Sequence, residues 1–301
     1  MTGYGISGGA LSIVNAIASG FGAAFGISLS TKAEVREGNR VSLRINGTTA
    51  PAYFAEALLE RFNSVSPQKL SGAAVSVESD IPQSAGLKSS SAAANAILSA
   101  FADEAGVTLS PDTILRAGAL ASLDAGVSVT GAFDDAAACL LGGAVFTDNR
   151  RMEILRRIPV SEDLTAVIAL PADYTPSPSS AFPKEVLDAA ESRRIFDEAM
   201  GKAMGGVMDE APDGTPDEED KGLSAVFSAM EQNGALVSRA LGISDALFCA
   251  AKSAGAASAG LSGTGPALGI LVETENLDDF LSRFRESGCR CIVSHIRNRR
   301  L

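Results

Sequence analysis

The segment that decides the fold is Asp80-Ile81-Pro82-Gln83-Ser84-Ala85-Gly86-Leu87-Lys88-Ser89-Ser90-Ser91-Ala92-Ala93-Ala94. Before it, Val75 and Val77 alternate with other residues, which predicts a strand over residues 73–79. After it, an alanine-rich stretch predicts a helix from Ser89 to Glu104. The order is therefore strand, flexible loop and helix, with three serine hydroxyls in the first turn of the helix.

This order is typical of an anion-binding site. The first N–H groups of a helix have no partner within the helix, and the helix dipole favours negative charge there. Gly86 lets the backbone approach a ligand closely, and Lys88 adds a positive charge. Serine hydroxyls can bind phosphate oxygens or ligate a hard cation. A single serine would be enough to cap a helix, so three in succession favour a phosphate site. The spacing is not that of a Walker A loop.

Composition excludes several classes of partner. The 301 residues include 25 Lys and Arg against 36 Asp and Glu, a net charge of −11, and 46% are hydrophobic, as in globular proteins. The negative charge disfavours nucleic acid and anionic membranes, so we expect neither as a partner. The uncharged segment up to Thr31 has neither the positive start of a signal peptide nor the composition of a membrane helix. We expect this segment to be buried and the protein to be cytoplasmic.

The spacing of hydrophobic residues predicts the remaining elements. In the first part of the chain we expect a β-hairpin over 33–45, helices over 52–63 and 111–122, and a buried strand over 164–170. In the second part we expect helices over 184–205, 221–241 and 244–258. The chain is then expected to close with a strand over 267–273, a helix over 277–287 and a strand over 289–296. Residues 173–183 are expected to form an ordered loop or lid, and the acidic residues 209–220 a surface insertion. Together these elements predict an α+β chain of two lobes with a boundary near residue 160.

Two further segments carry candidate chemistry. Asp124, Asp134 and Asp135 lie within twelve residues in an otherwise apolar setting, and the last two follow a glycine turn. Phosphoryl transfer to an alcohol uses one carboxylate near the hydroxyl and one on the metal, although adjacent aspartates also occur in solvated turns and helix caps. Residues 259–268 contain three glycines, which would let the backbone pass close to a substrate or phosphate. A tight turn before a strand is the alternative there.

Residues 82–92 resemble the P-x-x-x-G-L-x-S-S-x-A signature of the GHMP kinases, a superfamily that includes galactokinase, homoserine kinase and mevalonate kinase. The variant with lysine and three serines over 86–91 is similar to the archaeal-type shikimate kinase branch, as are residues 13–26. Phe21 departs from that branch, which usually has lysine at this position. The resemblance implies a GHMP kinase fold, with a ribosomal-protein-S5-like, ATP-binding lobe over 1–160 and a ferredoxin-like α+β lobe over 161–301.

The resemblance also implies an activity, namely the ATP-dependent phosphorylation of a small-molecule alcohol. The first expected acceptor is shikimate, which would become shikimate 3-phosphate in a step of chorismate and aromatic amino-acid biosynthesis. ATP and Mg²⁺ are the implied cofactors, and the protein is expected to be a monomer or a small homo-oligomer. Homoserine kinase, mevalonate kinase and a nucleotide-binding regulator without turnover are the alternatives.

Site roles follow from the same resemblance. The loop from Pro82 to Ala92 would surround the triphosphate, and Lys88 would offset developing charge. Asp134 would lie beside the acceptor hydroxyl, with Asp135 as the alternative because one inserted residue makes the alignment ambiguous. Ser90 and Asp124 would hold the metal, although the family more often has glutamate at the second position. The residues expected to bind the substrate are Thr130, Gly131, Gly263, Thr264 and Gly265.

Overall fold

The larger sheet is built around one long strand, β2 (Phe21–Glu37). In this computed structural model, which describes residues 2–172, 187–204 and 216–301, β1 (Gly3–Val14) pairs antiparallel with β2 along one edge. On the other edge, β5 (Ala73–Ser79) pairs with the C-terminal part of β2, and β6 (Ala144–Asp148) pairs with its N-terminal part. The outer strands of this sheet are β3 (Ser42–Ile45), β4 (Thr48–Ala50) and β7 (Glu153–Ile158).

Helices cover both faces of this sheet. Helices α3 (Ser89–Glu104) and α5 (Phe133–Leu141) contact β1 and β2 on one face, and α2 (Tyr53–Val65) and α4 (Pro111–Asp124) pack on these helices. Ser110 caps α4 as expected, since its hydroxyl accepts from the Thr113 N–H at 3.1 Å. The opposite face of β2 contacts α6 (Ala189–Met204), where the rings of Phe21 and Phe196 lie 5.4 Å apart.

The smaller sheet is entirely antiparallel. Its strands are β8 (Leu164–Leu170), β9 (Ser258–Leu261), β10 (Leu268–Glu273) and β11 (Arg290–His295), in the order β11-β8-β10-β9. One face packs on α8 (Ala246–Ala254) and α9 (Leu277–Phe284), and β9 contacts the long helix α7 (Pro216–Leu241). Among the described residues, no helix combines the length and hydropathy needed to cross a membrane.

The hydrophobic core continues from one sheet to the other. A Cβ added to Gly269 of β10 would lie 2.9 Å from the side chain of Leu11 in β1, and Ile27 of β2 forms a β-bridge with Ile296. The larger sheet ends at Ile158 and the smaller sheet begins at Leu164. The division into lobes near residue 160 stays a prediction, because the packing does not separate the two parts.

The uncharged N-terminal segment is buried, as the sequence predicts. It forms β1, the short helix α1 (Ala16–Ser19) and the start of β2. Its small residues allow α3 to lie directly on β1, because a Cβ on Gly5 would stand 2.0 Å from the carbonyl oxygen of Ala96. This close approach fixes the direction of α3 and therefore the position of its N-terminus.

The predicted hairpin over 33–45 is wrong. Strand β3 does not pair with β2 but pairs in parallel with β5, with Leu43 opposite Val75, and β5 lies between the two. The Gly38 N–H donates to the carbonyl oxygen of Gly72 at 3.0 Å, so the expected turn meets the start of β5 instead. Alternating hydrophobic residues identify a strand but do not identify its partner.

Other boundaries differ from the prediction for local reasons. The helix expected over 244–258 ends at Ala254, because Gly255 adopts φ +105° and its N–H caps the helix, and β9 follows. Helix α5 and strands β6 and β7 were not predicted. Residues 173–183 and 209–215 lie outside the described residues, whereas residues 216–220 of the expected insertion begin α7.

Replacing Gly5 with alanine tests the contact between β1 and α3. The added methyl would meet backbone atoms of α3, so we expect the free energy of unfolding to fall by about 1–3 kcal/mol. Gly201→Ala is the matched control, because Gly201 is an exposed residue of α6 with no atom within 4 Å of an added Cβ. The control is expected to be neutral or slightly stabilising. Equal denaturation midpoints for Gly5→Ala and the parent protein would contradict the role given to this contact.

Candidate active site

A cleft lies where the N-termini of α3 and α5 meet the glycine-rich turn between β9 and β10. Among the residues that the structure describes, its walls combine hydroxyl groups, backbone N–H groups, two carboxylates and one lysine. The lining residues are Ser12, Asn15, Ala16, Ile17, Ser84, Gly86, Lys88, Ser89, Ser90, Val127, Ser128, Val129, Thr130, Ala132, Asp134, Asp135, Gly263 and Thr264. Segments far apart in the sequence, from residue 12 to residue 264, therefore contribute to one site.

The N-terminus of α3 is open towards the cleft. Lys88 precedes the helix in a left-handed conformation with φ 66°, and no side chain caps the helix. The first bond within the helix runs from the Ala92 N–H to the Lys88 carbonyl oxygen at 3.0 Å. The N–H groups of Ser89, Ser90 and Ser91 precede that bond, so they are available to an anion.

Only part of the predicted loop reaches the cleft. Ser84, Gly86, Lys88, Ser89 and Ser90 line it. Ala85, Leu87, Ser91 and Ala92 are buried behind these residues, and Pro82 and Gln83 lie outside the lining. The signature therefore mixes residues that face the cleft with residues that anchor the loop to the core.

The glycine-rich turn is bound directly to this loop. The Ser262 hydroxyl donates to the Gly86 carbonyl oxygen at 2.8 Å, and the Ala267 N–H donates to the Ala85 carbonyl oxygen at 3.2 Å. Gly86 has φ +84°, and a Cβ there would lie 2.1 Å from the Ser262 carbonyl oxygen. Only glycine satisfies both the backbone angle and the close approach.

Lys88 supplies a positive charge to the cleft. Its ammonium group lies 3.0 Å from Asp135 Oδ1 and donates to the Ser12 hydroxyl oxygen at 2.7 Å, and its side chain is only 6% exposed. The same Ser12 oxygen accepts from the Gly263 N–H at 2.9 Å. Ser12 thus connects the lysine to the glycine-rich turn.

Asp134 is the buried carboxylate of the site, with 5% exposure. Burial raises the pKa of Asp134 to about 7, the negative charge of Asp135 adds to the rise, and Lys88 and Asn149 oppose it. A carboxyl group with a pKa near 7 can accept a proton at neutral pH. The sequence allowed adjacent aspartates to lie in a solvated turn or at a helix cap. Both aspartates in fact lie in the first turn of α5, and this turn faces the cleft.

Asp124 is not brought to the cleft. It lies at the end of α4, where its Oδ2 accepts from Arg61 Nε at 2.6 Å, and this interaction holds the pKa of Asp124 below its usual value. Its role as a metal ligand stays a prediction, and no geometry supports it. Of the residues expected to bind substrate, Thr130, Gly263 and Thr264 line the cleft, whereas Gly131 and Gly265 do not.

Phe21 lies on the other face of β2 from Asp134. Its ring is flanked by two guanidinium groups, with Arg150 Cζ at 4.3 Å and Arg193 Cζ at 3.7 Å from the ring centre. The neighbouring Gly22 faces Asp134, since a Cβ there would lie 2.3 Å from Oδ2. The phenylalanine that departs from the branch pattern therefore does not line the cleft.

Sequence reasoning missed Ser12, Asn15 and Asn149. Asn15 lines the cleft, caps α1 and donates from Nδ2 to the Gly263 carbonyl oxygen at 3.2 Å. The available signal was the presence of polar residues in an uncharged, largely apolar segment. No comparable signal marks Asn149, which lies in a turn between two strands that were not predicted.

Gly86→Ala tests whether the loop and the glycine-rich turn form one anion site. The added methyl would force the loop away from Ser262, so we expect at least a ten-fold loss of affinity for tripolyphosphate, measured by calorimetry. Gly126→Ala is the control, because Gly126 also has a positive φ, +66°, but nothing lies within 4 Å of an added Cβ. Equal losses in both variants would attribute the effect to backbone strain alone.

The sequence of the chain is similar to those of known proteins. Residues 51–143 match the family described as the GHMP kinases N terminal domain. The chain is 37% identical to a shikimate kinase from Methanothrix thermoacetophila, covering 99% of this chain and 95% of that protein. It is 35% identical to a shikimate kinase from Methanosarcina acetivorans, again over 99% and 95% of the two chains.

Solved structures agree at the level of the fold. A homoserine kinase from Cytophaga hutchinsonii superposes with a TM-score of 0.73 at 16% identity, covering 99% of this chain and 95% of that one. The Methanococcus jannaschii mevalonate kinase gives a TM-score of 0.71 at 16% identity, covering 99% and 98%. The predicted α+β GHMP kinase fold is confirmed. Because the relatives match along almost the whole chain and the matched domain contains the serine-rich loop, the chain belongs to the GHMP kinases, in the group that includes these shikimate kinases.

Proposed function

We propose that the protein transfers the γ-phosphoryl group of ATP to a hydroxyl of shikimate and forms shikimate 3-phosphate. Phosphoryl transfer is supported by the cleft, in which the uncapped N-terminus of α3 faces a buried carboxylate at the start of α5. Kinase relatives imply ATP as the co-substrate. The choice of shikimate as the acceptor rests on the relatives that match the chain along its length.

The phosphates would lie at the N-terminus of α3. The N–H groups of Ser89, Ser90 and Ser91 and the helix dipole would stabilise their negative charge, and Gly86 leaves room for close approach. Lys88 would offset the charge that develops on the transferred phosphoryl group. Catalysis would then depend mainly on positioning and electrostatics, because phosphoryl transfer asks little covalent chemistry of the protein.

Asp134 would accept the proton of the attacking hydroxyl. Its pKa of about 7 suits this role at neutral pH. Asp135 would hold Lys88 in place through their ion pair at 3.0 Å. Thr130, Gly263 and Thr264 would contact the acceptor, because they line the same cleft as the two aspartates.

The residues present fit Mg²⁺ only as a partner of the nucleotide. Among the described residues, no group of three or more His, Cys, Asp or Glu side chains could hold a metal ion. Mg²⁺ in kinases is commonly bound by one or two protein groups together with phosphates and water. Ser90 would supply a hydroxyl at the start of α3. When bound, the ion would neutralise phosphate charge.

ADP release from Mg²⁺-ATP with shikimate, homoserine and mevalonate as separate acceptors tests the proposed function. Shikimate-dependent release is expected, with little or none from the other two alcohols. A signal with homoserine or mevalonate but not with shikimate would keep the phosphate site and reject the acceptor. ATP binding without turnover on any acceptor would instead support a nucleotide-binding regulator.

Paired aspartate variants test the assignment of the base. Asp134→Asn is expected to lower kcat at least 100-fold while ATP affinity stays within a few-fold, because the amide cannot accept the hydroxyl proton. Asp135→Asn is the matched variant, one residue away on the same helix, and should lower kcat less because Lys88 remains bound to Ser12. If Asp135→Asn alone removes turnover, the two roles are exchanged.

A further inference from the structure

Asn149 contacts Asp134 at two points from behind the cleft. Its Nδ2 donates to Asp134 Oδ1 at 2.7 Å, and its Oδ1 accepts from the Asp134 backbone N–H at 3.1 Å. Asn149 lies in the turn after β6, is 3% exposed and does not line the cleft. It can therefore act on the reaction only through Asp134.

The orientation of the Asn149 amide is fixed by its surroundings. A backbone N–H can only donate, so Oδ1 must face the N–H of Asp134, and Nδ2 must then face the carboxylate. The Thr147 hydroxyl donates to the same Oδ1 at 2.7 Å, and the Asn149 backbone N–H donates to the Gly20 carbonyl oxygen at 2.9 Å. These hydrogen bonds allow the Asn149 side chain only one orientation.

The groups that face Asp134 differ in their effect on its charge. Asp135 of α5 disfavours the ionised carboxylate, and Lys88 at the start of α3 favours it. On the side of β2, the neighbour of Asp134 is Gly22, which has no side chain, and Asp134 Oδ2 points towards this glycine. Asn149 favours the ionised form through a neutral donor, so it adds no charge to the site.

We propose that Asn149 is a positioning residue that favours the ionised form of Asp134 and binds its Oδ1, so that Oδ2 is left for the acceptor hydroxyl. This inference rests on the proposed function for the identity of the reaction. The hydrogen-bond geometry around Asp134 does not depend on which alcohol is phosphorylated.

The hydrogen bond from Asn149 affects the pH dependence of the reaction. Ionised Asp134 is the active form, so kcat is expected to rise as pH increases through about 7 and then to level off. Loss of the Nδ2 donor removes an interaction that lowers the pKa of Asp134, so the rise should move to higher pH. The hydrogen bond to a charged group predicts a displacement of roughly one to two pH units.

Asn149→Ala and the uncharged, nearly isosteric Asn149→Leu test this, with Asn95→Ala as the control. Asn95 is also buried and also holds α5, since its Nδ2 donates to the Ala136 carbonyl oxygen at 2.9 Å. We would measure kcat against pH and, in the free protein, the ¹³C NMR titration of the Asp134 carboxyl, assigned by its absence in Asp134→Asn. Both Asn149 variants should titrate at higher pH and lose roughly ten-fold in kcat at pH 7. Asn95→Ala should lower Tm without moving the titration.

Unchanged titration midpoints in both Asn149 variants would overturn the inference, even if kcat fell. An equal displacement in Asn95→Ala would also overturn it, because loosening of α5 would then be the cause. If the parent protein phosphorylates no alcohol, the proposed function fails, but the NMR titration still decides the role of Asn149. Asn149→Leu keeps the approximate volume of the side chain, adds no charge and covers the case in which the alanine variant does not fold.

Discussion

The close packing of α3 on β1 is the constraint on which the site depends. Backbone approaches this short are possible only where a side chain is absent, and Gly5 provides such a position opposite the Ala96 carbonyl oxygen. Because α3 lies directly on β1, its N-terminal end is held beside β1, where the Ala10 N–H donates to the Leu87 carbonyl oxygen at 3.4 Å. The loop over 84–88, with Lys88, and the uncapped N–H groups at the start of α3 are placed there as a result.

Two further contacts convert that helix start into a cleft. The turn between β9 and β10 reaches back from the smaller sheet and binds the carbonyl oxygens of Ala85 and Gly86. Helix α5 brings Asp134 and Asp135 to the same place, and Lys88 pairs with the second of these. Neither sheet alone forms the site, and one hydrophobic cluster joins residues of both sheets beneath it.

The electrostatics of the cleft follow from unequal burial of two neighbouring carboxylates. Asp135 forms an ion pair with Lys88, whereas the more deeply buried Asp134 accepts from the neutral amide of Asn149. Adjacent residues of identical chemistry therefore differ in their surroundings, one pairing with a lysine and the other, in the proposed reaction, accepting a proton. Asp124 differs from both of these residues. It lies outside the cleft and forms an ion pair with Arg61 there.

The sequence alone determined the elements whose signals are local. The strand over 73–79, the helix over 89–104, the anion-binding order between them and the family all follow from residues close together in the chain. Only the tertiary structure decided which strand β3 pairs with, that Asp124 meets Arg61, and that Asn149 holds Asp134. Helix propensity, turn chemistry and capping depend on neighbours within a few residues. Strand partners and buried hydrogen bonds join residues that packing brings together from distant parts of the chain. Such contacts produce no periodic pattern in the sequence from which they could be predicted.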